Sequence, residues 1–176
     1  MLKLMCGDVE TGYYSAAVAC AGVTGFVYVA IIDSMRPTIL EKKNNNSMLY
    51  ESRLVQLYSV ITYLSLAQGL AMTILAKPLV LVLYSEQYLS SIAPLRIVVW
   101  CIIFSYYGTI RNVWILAENK QKYLWIINLS GALVNVLFNL YLIPIMGTEG
   151  AALASLITQV FTNVIIGFII KPIRYN

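Results

Sequence analysis

The chain of 176 residues is more apolar than an ordinary soluble domain, with 60% hydrophobic and 11% charged residues where a soluble domain carries about 25% charged residues. It has no histidine, its eight acidic residues are scattered, and Cys6, Cys20 and Cys101 lack metal-ligand spacing. We therefore expect no metal site, no cofactor and no enzymatic activity. The net charge of +4 is small, and we expect a lipid bilayer rather than a nucleic acid as the partner.

Five apolar segments have roughly the length needed to cross a bilayer, which takes about 20 predominantly apolar residues in a helix. The predicted helices cover residues 15–33, 55–76, 92–116, 123–146 and 150–170. The polar segment 36–53, with Asn44, Asn45 and Asn46, is predicted to be the long connecting loop. The sequence thus predicts a single all-α domain over residues 1–176, a polytopic membrane bundle of about five transmembrane helices.

Lysine and arginine are concentrated in three regions outside the predicted helices, and such residues favour the cytoplasmic side of a membrane. The three groups are Arg36, Lys42, Lys43 and Arg53; Lys120 and Lys122; and Lys171 and Arg174. We therefore expect loop 36–53, the turn before residue 123 and the C-terminus to be cytoplasmic.

Asp33 lies three residues before Arg36, at the cytoplasmic end of the first predicted helix. A carboxylate there is placed either to accept a coupling proton or to pair with the arginine. We favour the ion pair, because residues three apart are neighbours on a helix surface.

The third predicted helix carries a stripe of aromatic and arginine residues. Its members are Arg96, Trp100, Phe104, Tyr107, Arg111 and Trp114, and steps of four and three residues place them on one face. This face suits a sugar pyrophosphate, since guanidinium groups pair with phosphate oxygens and flat rings stack on sugars. The competing interpretation, which we favour, is that the arginines extend to the lipid headgroups and the rings only pack against neighbours.

The fourth predicted helix has a polar face formed by Asn128, Gly131, Asn135 and Asn139. Amides exposed to lipid would be unsatisfied, so this face is expected to point into the bundle. It either bonds to a neighbouring helix, which we favour, or lines a cavity. In the fifth helix Thr158 and Thr162 belong to a similar face of small residues, for which we also favour packing.

Three short motifs resemble successive elements of one transporter family. They are Gly12-Tyr13-Tyr14-Ser15-Ala16-Ala17 before an apolar run that closes on Pro37, Leu83-Tyr84-Ser85-Glu86-Gln87-Tyr88 with residues 93–95, and Gly147-Thr148-Glu149-Gly150-Ala151-Ala152. Their order resembles the C-terminal part of the O-antigen and polysaccharide flippases of the Wzx type, in the superfamily of the multidrug antiporters. The family pattern leads us to expect glycine at position 85, and Ser85 departs from it.

The resemblance implies a larger protein with two helix bundles, of which this chain would be the later part. It also implies translocation of an oligosaccharide linked to undecaprenyl pyrophosphate across the bacterial inner membrane, for O-antigen or lipopolysaccharide synthesis. The implied partners are this lipid-linked oligosaccharide, the missing N-terminal half and other polysaccharide-assembly proteins. The alternatives are a multidrug or ion antiporter of the same superfamily, a membrane scaffold subunit that transports nothing, and a degenerate gene product.

Overall fold

A computed structural model describes residues 1–45 and 47–170, without the side chains of residues 42–47. Its helices are α1 (Leu2–Gly22), α2 (Gly25–Asn45), α3 (Ser47–Ile74), α4 (Ala76–Tyr84), α5 (Ile92–Ala117), α6 (Leu124–Val160) and α7 (Ile166–Ile169). Short 3₁₀ turns cover Glu86–Ser91 and Gln121–Tyr123, and a π turn covers Phe161–Ile165. The described part of the chain contains no strand, which confirms the predicted all-α bundle.

Three of these helical stretches are long and apolar enough to cross a membrane, and a bent pair supplies a fourth. The stretches are Met48–Ile74, Glu86–Ala117 and Gln121–Ile169, and the pair is Leu2–Gly22 with Gly25–Glu41, bent by 44°. Glycines at both sides of the bend weaken the helix there, because glycine is a poor helix former. These helices are those expected of a membrane protein.

The long helix α6 folds back on itself at Gly147, where φ is 56° and ψ is −124°. A positive φ is readily adopted by glycine, which has no Cβ. We call residues 124–146 the first arm and residues 148–169 the second arm. The Asn135 amide donates to the Thr158 hydroxyl at 3.2 Å, and a Cβ added at Gly131 would lie 2.5 Å from the Thr162 methyl group. The arms are therefore antiparallel, and the turn falls between the predicted helices 123–146 and 150–170.

Two of the predicted boundaries were wrong. The first predicted helix, 15–33, corresponds to α1 and α2 on either side of the bend, and α1 begins at Leu2. The described part of the predicted loop 36–53 is helical, since α2 extends to Asn45 and α3 begins at Ser47. The reason is that the backbone hydrogen bonds of a helix form whether the side chains are charged or apolar. An apolar segment of the sequence therefore marks only part of the helix that contains it. Asn46, Lys171 and Arg174 lie outside the described residues.

Helix α5 lies in the middle of the bundle and packs against α1, α2, α3 and α6. The ends of α3 and α5 that carry positive charge lie together, because the Tyr50 hydroxyl donates to the Glu118 carboxylate at 3.1 Å. Ile39 of α2 is buried in one apolar cluster with Tyr50 of α3 and Ala117 of α5. The lysine- and arginine-rich regions near residues 36–53 and 118–122 thus share one end of the bundle.

Candidate functional site

A cavity of about 770 Å³ lies between α3, α5 and the second arm, and we call it the aromatic cavity. Its wall includes Tyr58, Tyr63, Phe104, Tyr107 and Phe168, together with Thr62 and Arg111. The Tyr58 and Tyr107 rings are nearly parallel, with centroids 6.3 Å apart. The Thr62 and Tyr107 hydroxyls are hydrogen-bonded at 2.8 Å, which fixes one ring of this wall.

A second cavity, of about 390 Å³, lies between α5 and both arms of the hairpin, and we call it the amide pocket. Its wall carries the side-chain amides of Asn112, Asn128, Asn135, Gln159 and Asn163. Hydroxyl groups of Ser105, Thr109, Thr158 and Thr162 complete the polar lining. No aspartate or glutamate is among the described residues that line either cavity.

Arg111 and Asn163 line both cavities and form the boundary between them. One terminal nitrogen of Arg111 donates to the backbone carbonyl of Thr162, while its Nε is buried without a hydrogen-bond partner among the described residues. Among the described residues, ion pairs join Lys3 to Asp8 and Arg36 to Asp33. No described carboxylate therefore pairs with Arg111 or neutralises the guanidinium charge at the boundary of the two cavities.

The partner carbonyl of Arg111 belongs to an irregular part of the second arm. Thr162 lies in the π turn Phe161–Ile165, where hydrogen bonds run to the fifth residue instead of the fourth. This change of pattern leaves carbonyl oxygens open to another donor, and such turns are frequent at functional sites. On α5, Gly108 makes room for the boundary, because a Cβ there would collide with the Asn163 amide.

The structure divides the predicted stripe between different surroundings. Phe104, Tyr107 and Arg111 line the aromatic cavity. Arg96 is exposed and lies in neither cavity. Trp100 packs on α3, 3.7 Å from where a Cβ of Gly69 would lie, and Trp114 is buried with the Lys120 ammonium 4.5 Å from its ring centroid.

The face of asparagines is divided as well. Asn128 and Asn135 line the amide pocket, whereas Asn139 is buried and its amide donates to the backbone and side-chain oxygens of Asn135, at 2.9 and 2.8 Å. This face therefore both bonds within the hairpin and lines a cavity.

Sequence reasoning missed several residues of the site, including Tyr58, Asn112, Gln159 and Asn163. Gln159 and Asn163 carried a usable signal, because two amides four residues apart on an apolar helix share one face. Their amides are hydrogen-bonded to each other at 2.6 Å. Tyr58 and Asn112 had no such pattern, and only the packing of α3 and of the hairpin against α5 places them at the cavities.

Comparison with known proteins adds no relative: no protein-family model, curated protein or solved structure matches the chain.

Proposed function

We propose that the chain is part of a flippase that moves an oligosaccharide linked to undecaprenyl pyrophosphate across the bacterial inner membrane. The observation that carries the proposal is the placement of Arg111 between an aromatic cavity and an amide pocket inside an apolar bundle. An ionisable residue at membrane depth is costly and by default indicates a functional site. Arg111 lies six residues before the end of α5, or about 9 Å along the helix axis.

The chemistry of the boundary fits the parts of such a ligand. A guanidinium group presents a planar fork of donors to phosphate oxygens, and one terminal nitrogen makes the only hydrogen bond of the Arg111 guanidinium to a described residue. Aromatic walls offer faces to sugar rings or to the isoprenoid chain. A multidrug antiporter of the same superfamily would be expected to bind cations with acidic residues, and no carboxylate is among the described lining residues.

The proposal includes an orientation and a mechanism. The basic ends of α3 and α5 share one end of the bundle with the end of α2, which supports a cytoplasmic location for that end and for the C-terminus. Transport would proceed by alternating access, as this bundle rocks against the N-terminal bundle around the central site.

The first experiment expresses the chain in a bacterium that lacks its flippase, alone and together with the N-terminal part of the transporter, and measures surface polysaccharide and membrane insertion. Restoration only with the N-terminal part supports the proposal, and restoration by the chain alone shows that it acts without that part. Failure of both despite correct insertion rejects the flippase proposal and favours the membrane scaffold or the degenerate gene product.

Arginine variants then test the site. We expect Arg111→Ala to reduce surface polysaccharide at least tenfold, about the effect of 1.4 kcal/mol, and Arg111→Lys to retain part of it. Arg96→Ala is a matched change on the same helix and is expected to retain transport, because Arg96 lies outside both cavities. Equal losses of transport at positions 96 and 111 would instead support a single binding stripe that includes both arginines. Full transport by Arg111→Ala at matched protein level would remove Arg111 from the site.

A further inference from the structure

The amide pocket has a chemistry of its own, distinct from that of the aromatic cavity. We propose that it binds an uncharged sugar residue, the one attached to the pyrophosphate, while Arg111 holds the phosphate at the boundary. This inference rests on the proposed function, and it adds which part of the ligand each cavity takes.

The first argument is the set of polar groups in the pocket. Five side-chain amides and four hydroxyls line it, and Arg111 is its one charged residue within the described part of the chain. Amides present both donors and acceptors. A sugar hydroxyl is also both a donor and an acceptor, so a wall of amides can form its hydrogen bonds. An acidic or cationic ligand would instead need charged groups in the wall.

The second argument is that some of these groups lack a partner. Asn112 and Asn128 are exposed, line the pocket and have no hydrogen bond to any described residue. The hydroxyls of Thr109 and Thr162 donate to carbonyls four residues earlier in their own helices, at 3.2 and 2.9 Å, which leaves their oxygens as acceptors. Within the membrane such amides need a polar occupant, because hydrocarbon cannot bond to them.

The third argument is size and position. The volume of about 390 Å³ is at the small end of the roughly 300–1,000 Å³ typical of small-molecule sites. Arg111 and Asn163 belong to the walls of both cavities. A phosphate bound by Arg111 therefore places the next group of the ligand at the entrance of the amide pocket.

The test compares two probes, undecaprenyl pyrophosphate and the same lipid bearing one uncharged hexose. Each is bound to the full chain, inserted in lipid nanodiscs together with the N-terminal part, and binding is measured by native mass spectrometry. One variant combines Asn112→Leu with Asn128→Leu. A second variant, Ala132→Trp, fills the pocket without removing an amide, since Ala132 lies in its wall. Gln121→Met is the control, because Gln121 is an exposed amide outside the pocket.

We expect the hexose to raise the affinity of the parent chain about tenfold, as two or three added hydrogen bonds would. Both pocket variants should lose this gain and still bind the sugar-free lipid as the parent does, and Gln121→Met should keep the gain. If the sugar-free lipid binds through Arg111 but the hexose adds nothing, or its gain survives in both pocket variants, the inference is overturned and the proposed function stands. If neither lipid binds the parent chain inserted together with the N-terminal part, both are overturned.

Discussion

The backbone at Ser85 provides a sharp test of the structure. Ser85 lies between α4 and the turn Glu86–Ser91, with φ of 72° and ψ of 178°, a region that is almost restricted to glycine. We therefore predict that Ser85→Gly stabilises the protein.

The size of the effect follows from two opposing terms. A side chain held in a rare backbone region costs about 1–3 kcal/mol, and Ser85→Gly removes that cost. Glycine loses more chain entropy on folding, roughly 0.5–1 kcal/mol. Ser85 is exposed and its side chain forms no capping hydrogen bond, so little else is lost. The expected net gain in the free energy of unfolding is about 1 kcal/mol, within a range of about 0–2.5 kcal/mol.

The assay is reversible unfolding in mixed detergent micelles, followed by the loss of helical circular dichroism as the fraction of denaturing detergent rises. Ser90→Gly is the matched control, because Ser90 is exposed in the adjacent turn without a positive φ. It should lose roughly 0.5–1 kcal/mol. The reasoning is refuted if Ser85→Gly is no more stable than the parent, or if Ser90→Gly gains as much.

Two further predictions concern the hairpin and the ion pair of Asp33 and Arg36. Gly150→Ala should cost about 1–3 kcal/mol of unfolding free energy, because the added Cβ would collide with the Leu142 carbonyl. Gly167→Ala is the control: a Cβ there has nothing within 4 Å, so the variant should be neutral or gain up to about 1 kcal/mol. The same detergent titration checks both variants, and equal stabilities would contradict the close approach of the arms. Asp33→Asn removes an exposed ion pair with Arg36, whose charged atoms lie 3.0 Å apart. The variant should lose less than about 1 kcal/mol of unfolding free energy and leave surface polysaccharide unchanged. Loss of polysaccharide at a normal protein level would favour proton coupling at Asp33.

Some elements were predictable because their signals are local. The third predicted helix, 92–116, corresponds to α5, Ile92–Ala117, since its apolar run is bounded by polar residues on both sides. The turn at Gly147 follows from a glycine between two apolar runs. The ion pair of Asp33 and Arg36 follows from helical spacing alone. The helical ends around residues 36–53 were missed, because polar composition resembles that of a loop even where the backbone bonds of a helix are formed.

The sequence by itself determined that the chain forms apolar helices suited to a membrane and that polar residues recur at helical spacing within them. Only the tertiary structure decided which of those polar residues meet. Arg111 lies at both described cavities and Arg96 at neither, although both belong to one stripe of α5. The physical reason is that spacing sets the direction of a side chain from its own helix, whereas burial, a hydrogen bond or a cavity depends on the helix packed opposite, here α3 and the hairpin.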